Sequence, residues 1–144
     1  MPLKVELKPN ERLIIGSSLI TNGNQRARLY IEGNEPILRQ KDILTPETAD
    51  TPAKHVYLSV QLMYLHEAGK TDELHAKYLE FANDFLKAAP SAQPFFDDIN
   101  NEILTGSLYK ALKATKRLMT YEQELLGIAK SSGSSLPTGS QTNS

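Results

Sequence analysis

The 144-residue sequence predicts an α+β protein, a small N-terminal antiparallel β module followed by a four-helix region and a disordered C-terminal tail. Three observations lead there. Apolar and polar residues alternate through the first third, as half-buried strands require. From Thr51 onward the apolar spacing changes to the helical period. The last fourteen residues, SSGSSLPTGSQTNS, carry one large apolar side chain and cannot offset the entropy of ordering themselves. The expected divisions are residues 1–45 for the β module, 46–130 for the helices and 131–144 for the tail. The chain is long enough to bury a core, as one domain or as two small subdomains that share one.

Leu3, Val5 and Leu7 fall on one face of the first strand and Lys4, Glu6 and Lys8 on the other, and Pro9-Asn10 breaks it. Arg12 to Ile15 is a second apolar run, closed by Gly16. A third, Leu19 to Thr21, precedes the turn residues Asn22-Gly23-Asn24. Arg26 to Ile31 alternates most regularly, with Ala27, Leu29 and Ile31 opposite Arg26, Arg28 and Tyr30. After Glu32 to Pro36 turns the chain, Ile37 to Arg39 starts a last short strand, and the module ends near Leu44.

Thr51 followed by Pro52 is a helix start: the hydroxyl caps free amides, and proline costs no hydrogen bond at the first helical position. VYLSVQLMYL, Val56 to Leu65, is apolar nearly all round and predicts a buried central helix closed by Gly69, although a buried strand is the rival reading of so short a run. Thr71 opens a second helix, with Leu74, Tyr78, Phe81, Phe85 and Leu86 at helical spacing. The chain restarts at Pro90-Ser91, and Phe95, Phe96, Ile99 and Ile103 give a third amphipathic segment that ends at Gly106. A fourth runs from about Leu108 to Ala129. Aromatic side chains of the middle helices are expected to form most of the core. No internal repeat is present.

The absence of cysteine excludes a disulfide framework, a thiolate metal site and a thiol nucleophile. The first residues lack the apolar core of a signal peptide and no run reaches the ~18 apolar residues of a membrane span, so a soluble cytoplasmic protein without membrane contact is expected. His55, His66 and His75 lack the i, i+3 or i+4 spacing of a helical metal site and read as surface or helix-end residues. Asp97 and Asp98 fall in the first turns of the third helix, where they complement the helix dipole. No Gly-rich phosphate loop or G-x-S-x-G is present. Neither an enzyme, a metal site nor a cofactor is expected.

Binding chemistry is better represented. Residues 1–45 carry seven Lys/Arg against five Asp/Glu, net +2, while the remainder has nine against twelve, net −3. So local a basic footprint does not hold duplex nucleic acid through phosphates alone at physiological salt. Arg26, Arg28 and Tyr30, two apart along one strand, form a basic strip that ends in an aromatic ring, the combination with which single-stranded RNA is contacted and stacked. The competing reading is an edge strand kept charged against aggregation. On the last helix Lys110, Lys113 and Arg117 lie within roughly 60° of one another, opposite its apolar residues, while Lys116 sits off that stripe. That face is either solvated or a second phosphate-contacting or partner-docking ridge.

Two resemblances add to this. NERLIIG, Asn10 to Gly16, and GNQRARLYI, Gly23 to Ile31, resemble the β-strand module of the CsrA family of mRNA-binding translational regulators. In that family two edge strands exchange between protomers, and a basic residue near the end of the last strand contacts RNA. Here ILRQKDI puts Gln40 at that position, between Arg39 and Lys41, and Leu7 stands where another basic residue is expected, beside Lys8. An RNA site would therefore lie at Arg26, Arg28 and Tyr30, with Lys8 or Arg12. The second resemblance is broader: MPLKVELKPNERLIIG, PILRQKDILTPETADTPAKHVYLSVQLMYL and the late LYKALKA resemble the FlbT family, over residues 1–129.

This resemblance implies a post-transcriptional regulator of flagellum assembly. It would associate with the 5′ untranslated region of flagellin mRNA, change its translation or lifetime, and work together with FlaF, a companion protein linked to flagellin. The alternative is a protein-interaction module that docks FlaF, flagellin or another assembly factor and affects mRNA only indirectly. The alternating first strand also predicts a homodimer through the β module, a second copy covering its free edge.

Overall fold

The computed structural model describes residues 2–66 and 71–134. Five strands come first: β1 (Leu3–Leu7), β2 (Arg12–Ile15), β3 (Ser18–Thr21), β4 (Ala27–Ile31) and β5 (Ile37–Arg39). Four helices follow: α1 (Pro52–Leu65), α2 (Thr71–Ala88), α3 (Gln93–Leu104) and α4 (Leu108–Ser134). The order of elements is the one the sequence predicts. Some boundaries differ: α4 continues to Ser134, into the first residues of the expected tail, β3 starts at Ser18 and β4 at Ala27, each one residue from the expected start, and α1 ends at Leu65 with His66 as its C-cap. Residues 135–144, the rest of that tail, and Gly69, expected to close α1, lie outside the described residues.

The strands divide into two antiparallel sheets, one of β1 and β4, the other in the order β3-β2-β5. Asn22-Gly23-Asn24 therefore does not close a hairpin: it carries the chain from β3 in one sheet to β4 in the other. The Asn22 amide holds this crossing by donating to the carbonyls of Lys8 (2.8 Å) and Gln25 (2.8 Å). At the break after β1, Asn10 takes a left-handed φ of 65° that asparagine tolerates better than most residues. Gly16 does the same at φ 61° in the β2–β3 turn.

The apolar run in β2 lacks strict alternation because both of its faces are covered. Leu13 and Ile15 join Val5, Leu7, Leu29 and Ile31 in a small core between the sheets, while Ile14 points the other way into the helices. Leu38 of β5 does likewise and is fully buried in the helical core.

α1 is helical, which decides against the strand reading of Val56 to Leu65. Its hydroxyl cap forms as expected, Thr51 Oγ1 accepting from the Lys54 amide at 3.2 Å with Pro52 at the first position. It packs between α2 and α4 and buries Ala53, Val56, Tyr57, Val60 and Met63. Tyr78, Phe85 and Phe96 are buried beside it. The core is nonetheless less aromatic than the spacing of α2 and α3 suggested: small and aliphatic residues of α1 and α4, among them Ala111, Ala114 and Leu118, fill as much of it. Such residues let α4 approach α1 closely.

Buried polar side chains fasten the β module to the helices. Asp42, in the 3-10 turn Gln40–Asp42 after β5, pairs with Lys116, the lysine that sits off the α4 basic stripe. Tyr57 donates to the Asp42 carbonyl at 2.6 Å. The Gln61 amide accepts from the Leu44 N–H and donates to the Leu44 carbonyl, both at 2.9 Å, as a strand neighbour would. Within the helical region Glu122, 5% exposed, accepts from the Ala53 amide at 2.9 Å and so ties α4 to the N-terminus of α1 beside the Thr51 cap.

Candidate nucleic-acid interface

Antiparallel pairing of β1 with β4 sets Lys4 opposite Tyr30 and Glu6 opposite Arg28. Residues directly opposite in an antiparallel pair have neighbouring side chains, so the solvent face of this sheet is a square of Lys4, Tyr30, Glu6 and Arg28. Tyr30 is 62% exposed, its ring open to stacking. The Arg28 guanidinium lies 3.3 Å from Glu6 and the Lys4 ammonium 3.9 Å from the same carboxylate oxygen. Glu6 thus offsets part of the positive charge of the strip. Arg26 lies one residue before β4 and, with Glu6 and Arg28, lines a shallow depression of about 280 Å³.

Of the other residues expected at this site, Lys8 follows β1 directly and is exposed, its amide held by Glu11 at 2.8 Å. Arg12 lies on β2, in the second sheet, and lines a different groove from Arg26 and Arg28. The position matched to the CsrA arginine has a structural role: the side-chain Oε1 of Gln40 accepts from the Arg12 backbone N–H at 2.6 Å. Gln40 and Lys41 belong to the 3-10 turn, so the alternation of faces expected of a continuing strand stops at Arg39. Arg39 itself joins the two sheets, donating to the Glu6 carbonyl at 2.8 Å and pairing with Glu11 at 3.7 Å.

Lys110, Lys113 and Arg117 are all exposed on α4. The Lys113 ammonium lies 5.3 Å from the centroid of the Tyr109 ring. Tyr109, 43% exposed, lines a cleft of about 400 Å³ together with Lys4, Arg39 and Tyr64. The strand face and the helix ridge, separate in the sequence, therefore adjoin through Lys4 and Tyr109. Tyr64 closes the base of the cleft by accepting from the Ile37 N–H (3.2 Å) and donating to the Ile37 carbonyl (3.0 Å). Burial raises its phenol above the usual tyrosine value.

Lys4, Glu6 and Tyr109 were not singled out from the sequence. Tyr109 had a local signal, four residues before Lys113 on one helix face. The placement of Glu6 against Arg28 had none, because it depends on strand register.

The histidines have packing and capping roles: His55 stacks on Phe81, His75 on Tyr78, and His66 caps α1 with its ring nitrogen 3.2 Å from the Leu62 carbonyl. Asp97 and Asp98 are exposed but begin the second turn of α3, so no acid lies in its first turn, and Asp97 accepts from the Gln93 amide at 2.9 Å. Among the described residues no group of three or more His, Cys, Asp or Glu is placed to hold a metal ion, and no helix is long and apolar enough to cross a membrane.

Residues 3–126 match the family model described as flagellar protein FlbT. The chain is 56% identical over 128 residues to a probable flagellum biosynthesis repressor protein FlbT 1 of Bradyrhizobium diazoefficiens, covering 88% of this chain and 86% of that protein. It is 48% identical over 126 residues to a probable flagellum biosynthesis repressor protein FlbT of Rhodopseudomonas palustris, covering 88% and 98%. To the flagellum biosynthesis repressor protein FlbT of Caulobacter vibrioides it is 33% identical over 129 residues, covering 88% and 91%. No solved structure matches. With a family match over nearly all of the described chain and relatives of this closeness, the chain belongs to the FlbT family of flagellar proteins.

Proposed function

We propose that this chain represses flagellin synthesis after transcription, in the cytoplasm, by binding single-stranded RNA of the flagellin mRNA 5′ leader on the open face of the β1–β4 sheet. The observation that carries the proposal is Tyr30, 62% exposed and flanked by Lys4 and Arg28. A ring and cations on one open face suit base stacking and phosphate pairing together. Lys113 and Tyr109 extend the same surface across the cleft. The relatives' names, as repressors of flagellum biosynthesis, support a role in regulating flagellar synthesis.

Glu6 favours a second reading. By pairing with Arg28 and lying near Lys4 it lowers the charge available for phosphate, as suits a surface that docks a protein such as FlaF or flagellin and affects mRNA indirectly. Titrating a labelled flagellin leader with wild type and with the Arg26→Ala, Arg28→Ala double variant tests between them. On the RNA reading the double variant binds more weakly and loses about 0.7 units of salt slope per phosphate given up. Its fold stability changes by no more than about 0.5 kcal/mol. Unaltered affinity and slope in the folded variant reject the RNA reading of this strip. The Lys113→Ala, Arg117→Ala pair probes the helix ridge in the same assay.

A further inference from the structure

A groove of about 520 Å³ runs between α1 and the β3-β2-β5 sheet, on the side away from the β1–β4 face. Ile14, Ile43, Leu58, Leu62 and Leu65 line it, and Leu19, 56% exposed, stands at its edge. Among the described residues the one charged group that lines it is Arg12, whose guanidinium has no ion-pair partner there. An aliphatic groove with a cation at its mouth that no described residue pairs fits an aliphatic ridge that carries a carboxylate.

The same chain presents such a ridge. The line of α4 through Leu118, by which it packs on the bundle, continues two turns later to Leu125, with Ile128 three residues further and Glu124 one turn before Ile128 on the same side. Among the described residues nothing covers this side beyond Glu122: Ile128 is 64% exposed, Leu125 is half-buried and Glu124 is exposed, while Leu126, 49% exposed, lies nearly opposite Ile128. α4 is one uninterrupted helix from Leu108 to Ser134, so its end does not fold back into the groove of its own copy.

We propose that the chain forms a reciprocal dimer in which the end of α4 from each copy lies in the α1–sheet groove of the other, Leu125 and Ile128 against the aliphatic lining and Glu124 toward Arg12. One helix end in one groove buries less than the ~800 Å² per partner of an ordinary stable interface, and the two-fold exchange doubles the area while closing the assembly. This interface uses neither the free edge of β1 nor the RNA face.

Light scattering with size-exclusion chromatography on the full chain at high micromolar concentration tests it, with circular dichroism to confirm folding. Wild type is expected as a dimer, and the tail variant Leu125→Ala, Ile128→Asp as a folded monomer. The groove variant Arg12→Glu, Leu19→Asp alters only exposed positions and is likewise expected to be monomeric. Reversal of charge by Arg12→Glu or by Glu124→Arg weakens the dimer, and combining them recovers it. A monomeric wild type or a tail variant that remains dimeric overturns the proposal. So does a dimer lost on deletion of residues 1–8 but kept in the tail variant, which would place the contact at β1.

Discussion

Replacing Glu6 with glutamine separates an RNA surface from a solvated strand face by a gain of binding, which misfolding does not mimic. The carboxylate lies 3.3 Å from Arg28 and 3.9 Å from Lys4, and all three side chains are half or more exposed. Exposed pairs of this kind contribute at most about 1 kcal/mol, so the folded state tolerates the change. Phosphate approaching Arg28 or Lys4 no longer meets a neighbouring anion. Each additional phosphate of a single strand paired in this way steepens the logarithmic salt dependence by about 0.7, and a fourfold change of salt then alters affinity by a further ~2.6-fold. Fluorescence anisotropy of a labelled leader fragment, titrated at salt from about 50 to 200 mM, reads both quantities. Glu6→Gln is expected to bind more tightly at low salt with the steeper slope, Arg28→Ala more weakly with the shallower one, and the double variant between them. If neither single variant changes the slope while both stay folded, RNA does not use this face.

Asp42→Asn breaks the pair with Lys116 at a buried position (Asp42 side chain 8% exposed), but the lysine is 43% exposed and can turn to solvent. The cost is therefore about 1–2 kcal/mol, below that of breaking a fully buried pair, and the melting temperature falls by several degrees; an unchanged melt would show that Asp42 does not clamp the module to α4. Burial holds the Tyr57 and Tyr78 phenols above their usual value, so the unfolded chain releases these protons first. Stability is then fully present below about pH 10 and declines above it, a fall that Tyr57→Phe with Tyr78→Phe blunts in denaturant midpoints measured against pH; a midpoint flat well above that pH contradicts the assignment. Gly16→Ala puts a side chain at φ 61°, with the new Cβ against the Glu35 carboxylate, and costs about 1–2 kcal/mol in chemical denaturation; a neutral result would mean that the β2–β3 turn relaxes freely. Truncation after Ser134 removes a segment with one large apolar residue, Leu136, and leaves the melting temperature unchanged, whereas a clear loss would reveal a docked tail.

Local patterning was enough to set the strands to within a residue and most helix starts, because alternation, the Thr51-Pro52 cap and the turn residues act over a few positions. The family was legible too, since long stretches of residues match rather than any single motif. Pairing was not. Asn22-Gly23-Asn24 has hairpin composition yet joins two sheets, and the apolar run in β2 gave no sign that Ile14 faces the helices while Leu13 and Ile15 face a second core. The strip of Arg26, Arg28 and Tyr30 could be read as one strand face; the Glu6 that tempers it and the α4 ridge that borders it could not. It takes the folded chain to bring Glu6 to Arg28 across a register, Lys116 to Asp42, and Glu122 to the amide of Ala53, 69 residues away. Such contacts follow from how whole elements bury their apolar faces together, and no local spacing encodes which charges meet once they do.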